Sequence, residues 1–183
     1  MAGGGDSAEC VAPPATHTTN AEDQAEVAKL QARIAQSNAS SKEPASASSK
    51  ADTATTPGEL ASSVPSVQIA EGAHKYVLVS AVDPVLRSGE SEPLRRDFVV
   101  SRHGAAYHRN AAEPLVYLLE ERGYADIRVK GGGRILLDSE KKKIHIFGYS
   151  YGFGLADHAK SKSIIEADDR YEGFSVTWSN DGY

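Results

Sequence analysis

Residues 125–169 read ADIRVKGGGRILLDSEKKKIHIFGYSYGFGLADHAKSKSIIEADD, and they decide the fold. ADIRVKGGGRILLD and KKKIHIFGYS are two strands joined by a polar turn around Ser139 and Glu140. In the second, Ile144 and Ile146 face one way and His145 and Phe147 the other, the period of two that a strand imposes. GLADHAKSKSIIEADD changes to a helical pattern, with Ala156, Ala159, Ile164 and Ile165 as inward candidates. Three consecutive glycines within a strand weaken it, so Gly131–Gly133 mark a bulge or a place where something approaches the backbone closely. Arg134, directly after them, can aim its planar fork at a phosphate, or stand solvated. Between the second strand and the helix, Ser150, Gly152 and Gly154 make either a plain turn or a concavity of N–H groups for an oxyanion, with a helix N-terminus adding positive potential.

Outward from there, the neighbours have the same character. KYVLVSAV is a strand over Lys75–Val82, VLRSGESEPLRR a loop, and DFVVS a second, shorter strand. NAAEPLVYLLEERG carries Leu115, Leu118 and Leu119 at helical spacing, with Gly123 as its stop and Asn110 and Glu113 as a capping box. Pro114 is tolerated only near a first turn, so this helix starts within residues 108–111 and His108 sits at its mouth. FSVTWSN supplies a last strand. The order β-β-α-β-β-α-β describes a single small α/β domain, its sheet mixed and partly antiparallel, with two main helices.

All 13 aromatic residues lie at or after Tyr76, whereas residues 1–65 are mostly Ala, Ser, Thr, Pro and Gly. Such a segment buries too little to offset its ordering entropy, so residues 1–65 are expected to be a disordered tail and 66–183 the domain. Within the tail, residues 21–36 form an amphipathic stretch with Val27, Leu30 and Ile34 on one face and Asn20 as cap. A lone helix of that length is marginal in water, so it is expected to fluctuate, with docking to a partner as the other reading.

Residues 66–183 hold 16 Lys+Arg against 17 Asp+Glu, so no basic face argues for nucleic acid. Cys10 is the only cysteine, no apolar run approaches membrane-spanning length, and MAGGGDSAEC lacks a signal-peptide core. The expectation is a cytoplasmic monomer, off the membrane.

VVSRHGAAYHRN, residues 99–110, holds two histidines. Arg-His-Gly around His103 matches the nucleophile signature of the large histidine phosphatase superfamily, whereas His108 follows Tyr107 into a helix. His145 and His158 read as structural, and no metal-ligand spacing is present, so neither metal nor other cofactor is expected.

HKYVLV, AAYHRN, VKGGGRI, KKIHIFGYSYGFGLADHA and VTWSNDGY occur in an order that resembles the Janus family of phosphohistidine phosphatases, over Val67–Tyr183. The resemblance implies hydrolysis of the P–N bond of phosphohistidine in other proteins, with His108 as the catalytic proton acceptor. It implies substrate binding by Lys75 and by Ser150, Tyr151 and Gly152, with Arg134 supporting the pocket. The family's Tyr-His-Ala-Asp stands here as Tyr107, His108, Arg109 and Asn110, and Arg102 lies nearer the histidine than the family's loop arginine. Direct attack by His108 on phosphorus, a binding module without turnover, and a His103-centred enzyme are the alternatives.

Overall fold

The computed structural model describes residues 21–40, 64–84 and 93–181. Helix α1 spans Ala21–Ser40; strands β1, β2 and β3 span Val67–Gln68, Gly72–Val82 and Arg95–Ser101. Helix α2 spans His108–Glu121, strands β4 and β5 span Ala125–Asp138 and Lys143–Phe147, helix α3 spans His158–Glu166, and β6 spans Ser175–Trp178 after a 3-10 turn at Asp169–Tyr171. One six-stranded sheet has the order β1-β3-β2-β4-β5-β6. Its central pairs are antiparallel and its two outer pairs, β1 with β3 and β5 with β6, are parallel. The mixed α/β domain expected from the sequence is thus present, with the two-residue edge strand β1 as an addition.

The alternation of β2 divides the core. Val77, Val79 and Ala81 face α2, packing with Phe98, Val100, Leu115 and Leu119, while Tyr76 and Leu78 face the other side with Ile135, Ile144, Ile146 and Ile165 of α3. In α3 the buried residues are His158, Ser161 and Ile165, and Ala159 is exposed: Asp157 caps the helix, accepting from Lys160 N at 2.9 Å, so its first turn begins later than the apolar pattern suggests. Asn110 also differs from its expected place. The helix starts at His108, Asn110 is its third residue, and its carboxamide oxygen accepts from Tyr107 N at 3.0 Å, while Glu113 pairs with Arg109 instead of capping.

The helix expected over residues 21–36 is α1, and it is packed on the domain. Val27, Leu30 and Ile34 are buried, the last two in the same cluster as α2, and Phe153 packs against that cluster. A marginal helix becomes fixed once a matching apolar surface covers its face. Asn38 completes the docking, since its side chain donates to Ile127 O at 2.9 Å and accepts from Ile127 N at 2.8 Å. It thereby satisfies the outer edge of β4 ahead of the part that β5 covers. Asn20, the expected cap, lies outside the described residues, as do 41–63. Leu30→Ala is therefore expected to cost about 2–4 kcal/mol of stability, read from urea unfolding; a helix free of the domain would give a change below ~0.5 kcal/mol. Among the described residues, no helix is long and apolar enough to cross a membrane.

Candidate active site

His108 opens α2 and is buried at 3 % exposure. Its Nε2 lies 2.9 Å from the carbonyl oxygen of Gly133 in β4. A carbonyl only accepts, so Nε2 carries the proton and Nδ1 is the basic nitrogen of the neutral ring. Burial, and then the positive charges of Lys75 and Arg134, push the imidazole down to about 4, against the opposing effect of the Gly133 bond. Lys75 and Arg134 are register partners across the β2–β4 ladder, so they share one sheet face. The Arg134 Nε is buried without a hydrogen-bond partner among the described residues.

The three glycines serve close approach, and the structure shows what approaches. A Cβ on Gly132 would lie 2.9 Å from His108 Cδ2, 3.1 Å from Ser150 Cβ and 2.8 Å from Tyr76 O. His108 and Ser150 therefore meet over a position that only a missing side chain leaves open. On the opposite side, a Cβ on Gly133 would meet Phe147 O at 2.7 Å and Gly148 O at 2.9 Å. The segment after β5 pairs alongside β4 here in a parallel bridge of Leu155 with Gly132, with Gly132 N donating to Gly154 O at 3.0 Å and Ala156 N to Gly132 O at 3.3 Å.

Ser150 is buried, and the segment closes on itself as a turn. Ser150 N donates to Gly154 O at 3.2 Å, Gly154 N to Ser150 O at 2.8 Å, and Phe153 N to Ser150 Oγ at 3.2 Å. Gly152 N–H stays outside these bonds, and Tyr151 projects outward, its ring edge-on to Tyr149 at 5.0 Å. The concavity expected at the mouth of the following helix is displaced: α3 begins four residues past Gly154 and carries its own Asp157 cap. The helix terminus adjoining this turn belongs to α2, through His108.

The structure thus gathers His108, Lys75, Arg134 and Ser150, with Gly152 and Tyr151 on the same turn. His103 is not among them. It is exposed and packs on the His74 ring at 5.1 Å. His158 is buried and structural: Nε2–H donates to Gly148 O at 2.8 Å, which leaves Nδ1 to accept from the Tyr76 hydroxyl at 2.6 Å. Burial lowers its pKa and raises that of Tyr76, so both stay neutral and pin the start of the turn to β2. His145 stacks on Phe147 and meets Thr177 Oγ1 at 2.9 Å. Sequence reasoning missed Gly133 O, which orients His108; the only signal was the glycine run itself. Among the described residues, no group of three or more His, Cys, Asp and Glu side chains stands close enough to hold a metal ion.

A single six-stranded sheet with a buried histidine beside the Ser150–Gly154 turn is the arrangement to set against known proteins. Residues 61–175 match the model of the Janus/Ocnus family. The chain is 40% identical over 124 residues to the pig 14 kDa phosphohistidine phosphatase, covering 66% of this chain and 93% of that protein. It is 38% identical over 121 residues to the human protein of the same name, 94% of which is covered. Sex-regulated protein janus-A of Drosophila yakuba is 32% identical over 126 residues, 68% of this chain and 86% of that protein. The chain belongs to the Janus/Ocnus family.

Proposed function

We propose that this chain is a protein phosphohistidine phosphatase in which His108 is the general base. The carrying observation is the pinned tautomer: Gly133 O holds Nε2–H, so the imidazole, kept neutral by burial and by Lys75 and Arg134 and close to Ser150, has Nδ1 as its basic nitrogen. The names of the pig and human relatives support the substrate, phosphohistidine carried on another protein.

In this reading Lys75, Arg134 and the Gly152 N–H meet the charge on the phosphoryl oxygens, and no metal takes part. Nδ1 takes a proton from water as the water oxygen bonds to phosphorus. The P–N bond breaks and the leaving imidazole of the substrate receives a proton, giving inorganic phosphate and histidine. Protonated His108 is a strong acid because its pKa is depressed, so it gives up that proton readily. A binding module would need the cations and the turn but not a neutral imidazole with one nitrogen pinned, and that favours turnover over binding alone.

The test is phosphate release from a phosphohistidine peptide across pH, corrected for spontaneous hydrolysis. In the free enzyme His108 is protonated only below about 4, so the acid limb of kcat/KM should fall near about pH 4 in place of the ~6.5 of an ordinary histidine. Bound phosphoryl dianion offsets Lys75 and Arg134, so the limb in kcat should lie higher than in kcat/KM. Stability moves in the same window: from pH ~6.5 down to ~4 the unfolded chain takes a proton that folded His108 refuses, so stability is lost as pH falls. Circular dichroism at each pH separates the two. Binding without phosphate release, or a kcat/KM limb at ~6.5 or above, overturns the reading.

A further inference from the structure

Helix α1 reaches the site at one turn. A Cβ on Gly152 would stand 2.5 Å from Val27 Cγ2 and 3.2 Å from Val27 Cβ. Gly148 and Gly154 on either side adopt φ of +66° and +82°, but Gly152 does not enter the left-handed region. Its own backbone would accept any L-residue. The requirement for glycine at 152 therefore comes from Val27.

Glu26, one residue earlier, pairs with Arg109, which directly follows His108 and also bonds Glu113 at 2.8 Å. A single turn of α1 thus touches both the Ser150–Gly154 turn and the first turn of the helix that carries His108. The rest of α1 is an anchor: Arg33 pairs with Glu120 at 2.5 Å and lies 3.5 Å above the Tyr117 ring, Leu30 and Ile34 are buried, and Asn38 brackets Ile127. The segments matched to the 14 kDa relatives cover 93% and 94% of those proteins but 66% of this chain, and the family match begins at residue 61, after α1. The helix is an addition to the shared domain.

We infer that α1 is a positioning element of the phosphoryl site, with Val27 setting the place of Gly152 and Glu26 tethering the helix to Arg109. The inference rests on the phosphatase reading for what the turn binds. A cradle of backbone N–H groups works only when held within about 0.5 Å of its productive geometry. A side chain wedged against the middle of the turn fixes that distance, so disturbing it should weaken phosphoryl binding more than proton transfer.

The test uses the full chain as wild type, Gly152→Ala, Val27→Ala and the double variant. Binding of inorganic phosphate is measured by calorimetry, and KM and kcat on a phosphohistidine peptide. Gly152→Ala should weaken phosphate binding and raise KM at least fivefold with kcat within twofold, because its methyl must displace the turn from Val27. In the double variant only the Val27 Cβ, 3.2 Å away, remains opposite, and both quantities should return to within twofold of wild type. A merely structural α1 would instead reduce the folded fraction, lowering apparent kcat at constant KM. An unchanged Gly152→Ala, or a loss that Val27→Ala does not rescue, overturns the inference. A wild type that binds phosphate but does not hydrolyse the peptide overturns the phosphatase reading instead, and the phosphate arm still decides the role of Val27.

Discussion

His108→Ala is expected to lower kcat on a phosphohistidine peptide by about 10²- to 10⁴-fold, while His103→Ala leaves it within twofold. The two histidines are five residues apart in the chain and opposite in environment. His108 is 3 % exposed, its proton placed by Gly133 O and its charge disfavoured by burial and by Lys75 and Arg134. His103 is exposed, its ring packed on that of His74. Removing the His108 ring also takes a hydrogen bond from the Gly133 carbonyl, a loss of about 0.5–1.5 kcal/mol, so the variant must be shown folded by thermal unfolding before its rate is read. Stopped assays quenched in alkali would also reveal a phosphoenzyme. None is expected to accumulate if water is the attacking group, whereas a phosphorylated His108 would assign it as the nucleophile. Loss of activity in His103→Ala with His108→Ala intact would reverse the assignment altogether.

What the sequence disclosed, and what it concealed, follows from the range of the interactions concerned. The strands and α2 were legible because their periodicity is local: Ile144 and Ile146 against His145 and Phe147, or Leu115 and Leu119 facing the sheet. The position of His108 at a helix mouth was legible through Pro114. The glycine run was legible as a bulge or a close approach, and both are present: the β2–β4 register shifts between Leu78 and Val79, beside Gly131, and His108 and Ser150 close over Gly132. What approaches it is set by the pairing of residues 154–156 alongside β4 and by the start of α2, contacts distant in sequence with no local signature. The apolar stripe Val27, Leu30 and Ile34 could likewise be read, but not its partner, because the surface that receives it is assembled from α2, β4 and Phe153. The Arg109 side chain next to His108 departs from the family pattern, and the structure gives it two carboxylates, one from α1. The start of α3 was misplaced for a local reason: Ala156 and Ala159 fit a helical pattern, and the Asp157 cap between them outweighs it.

The glycine run should separate stability from activity within two adjacent residues. Gly131 has φ +143°, where an L-residue is strained, and a Cβ there would meet Leu155 O at 2.5 Å and Ala156 N at 2.7 Å. Both obstacles are backbone and cannot swing aside, so Gly131→Ala is expected to cost about 3 kcal/mol or more in urea unfolding. Gly132 carries no such φ, and two of its three obstacles are the side chains of His108 and Ser150, at 2.9 and 3.1 Å. The third and nearest, Tyr76 O at 2.8 Å, is β2 backbone, so a methyl at 132 strains the β2–β4 ladder and also pushes on the two groups to which the proposed chemistry is assigned. Reaction geometry is steep in distance, since a displacement of about 1 Å can cost a hundredfold in rate. Gly132→Ala should therefore lose at least about a hundredfold in kcat/KM while giving up less stability than Gly131→Ala. Equal loss of stability in the two variants, with activity in Gly132→Ala following only the folded fraction, would show that the glycines serve packing alone.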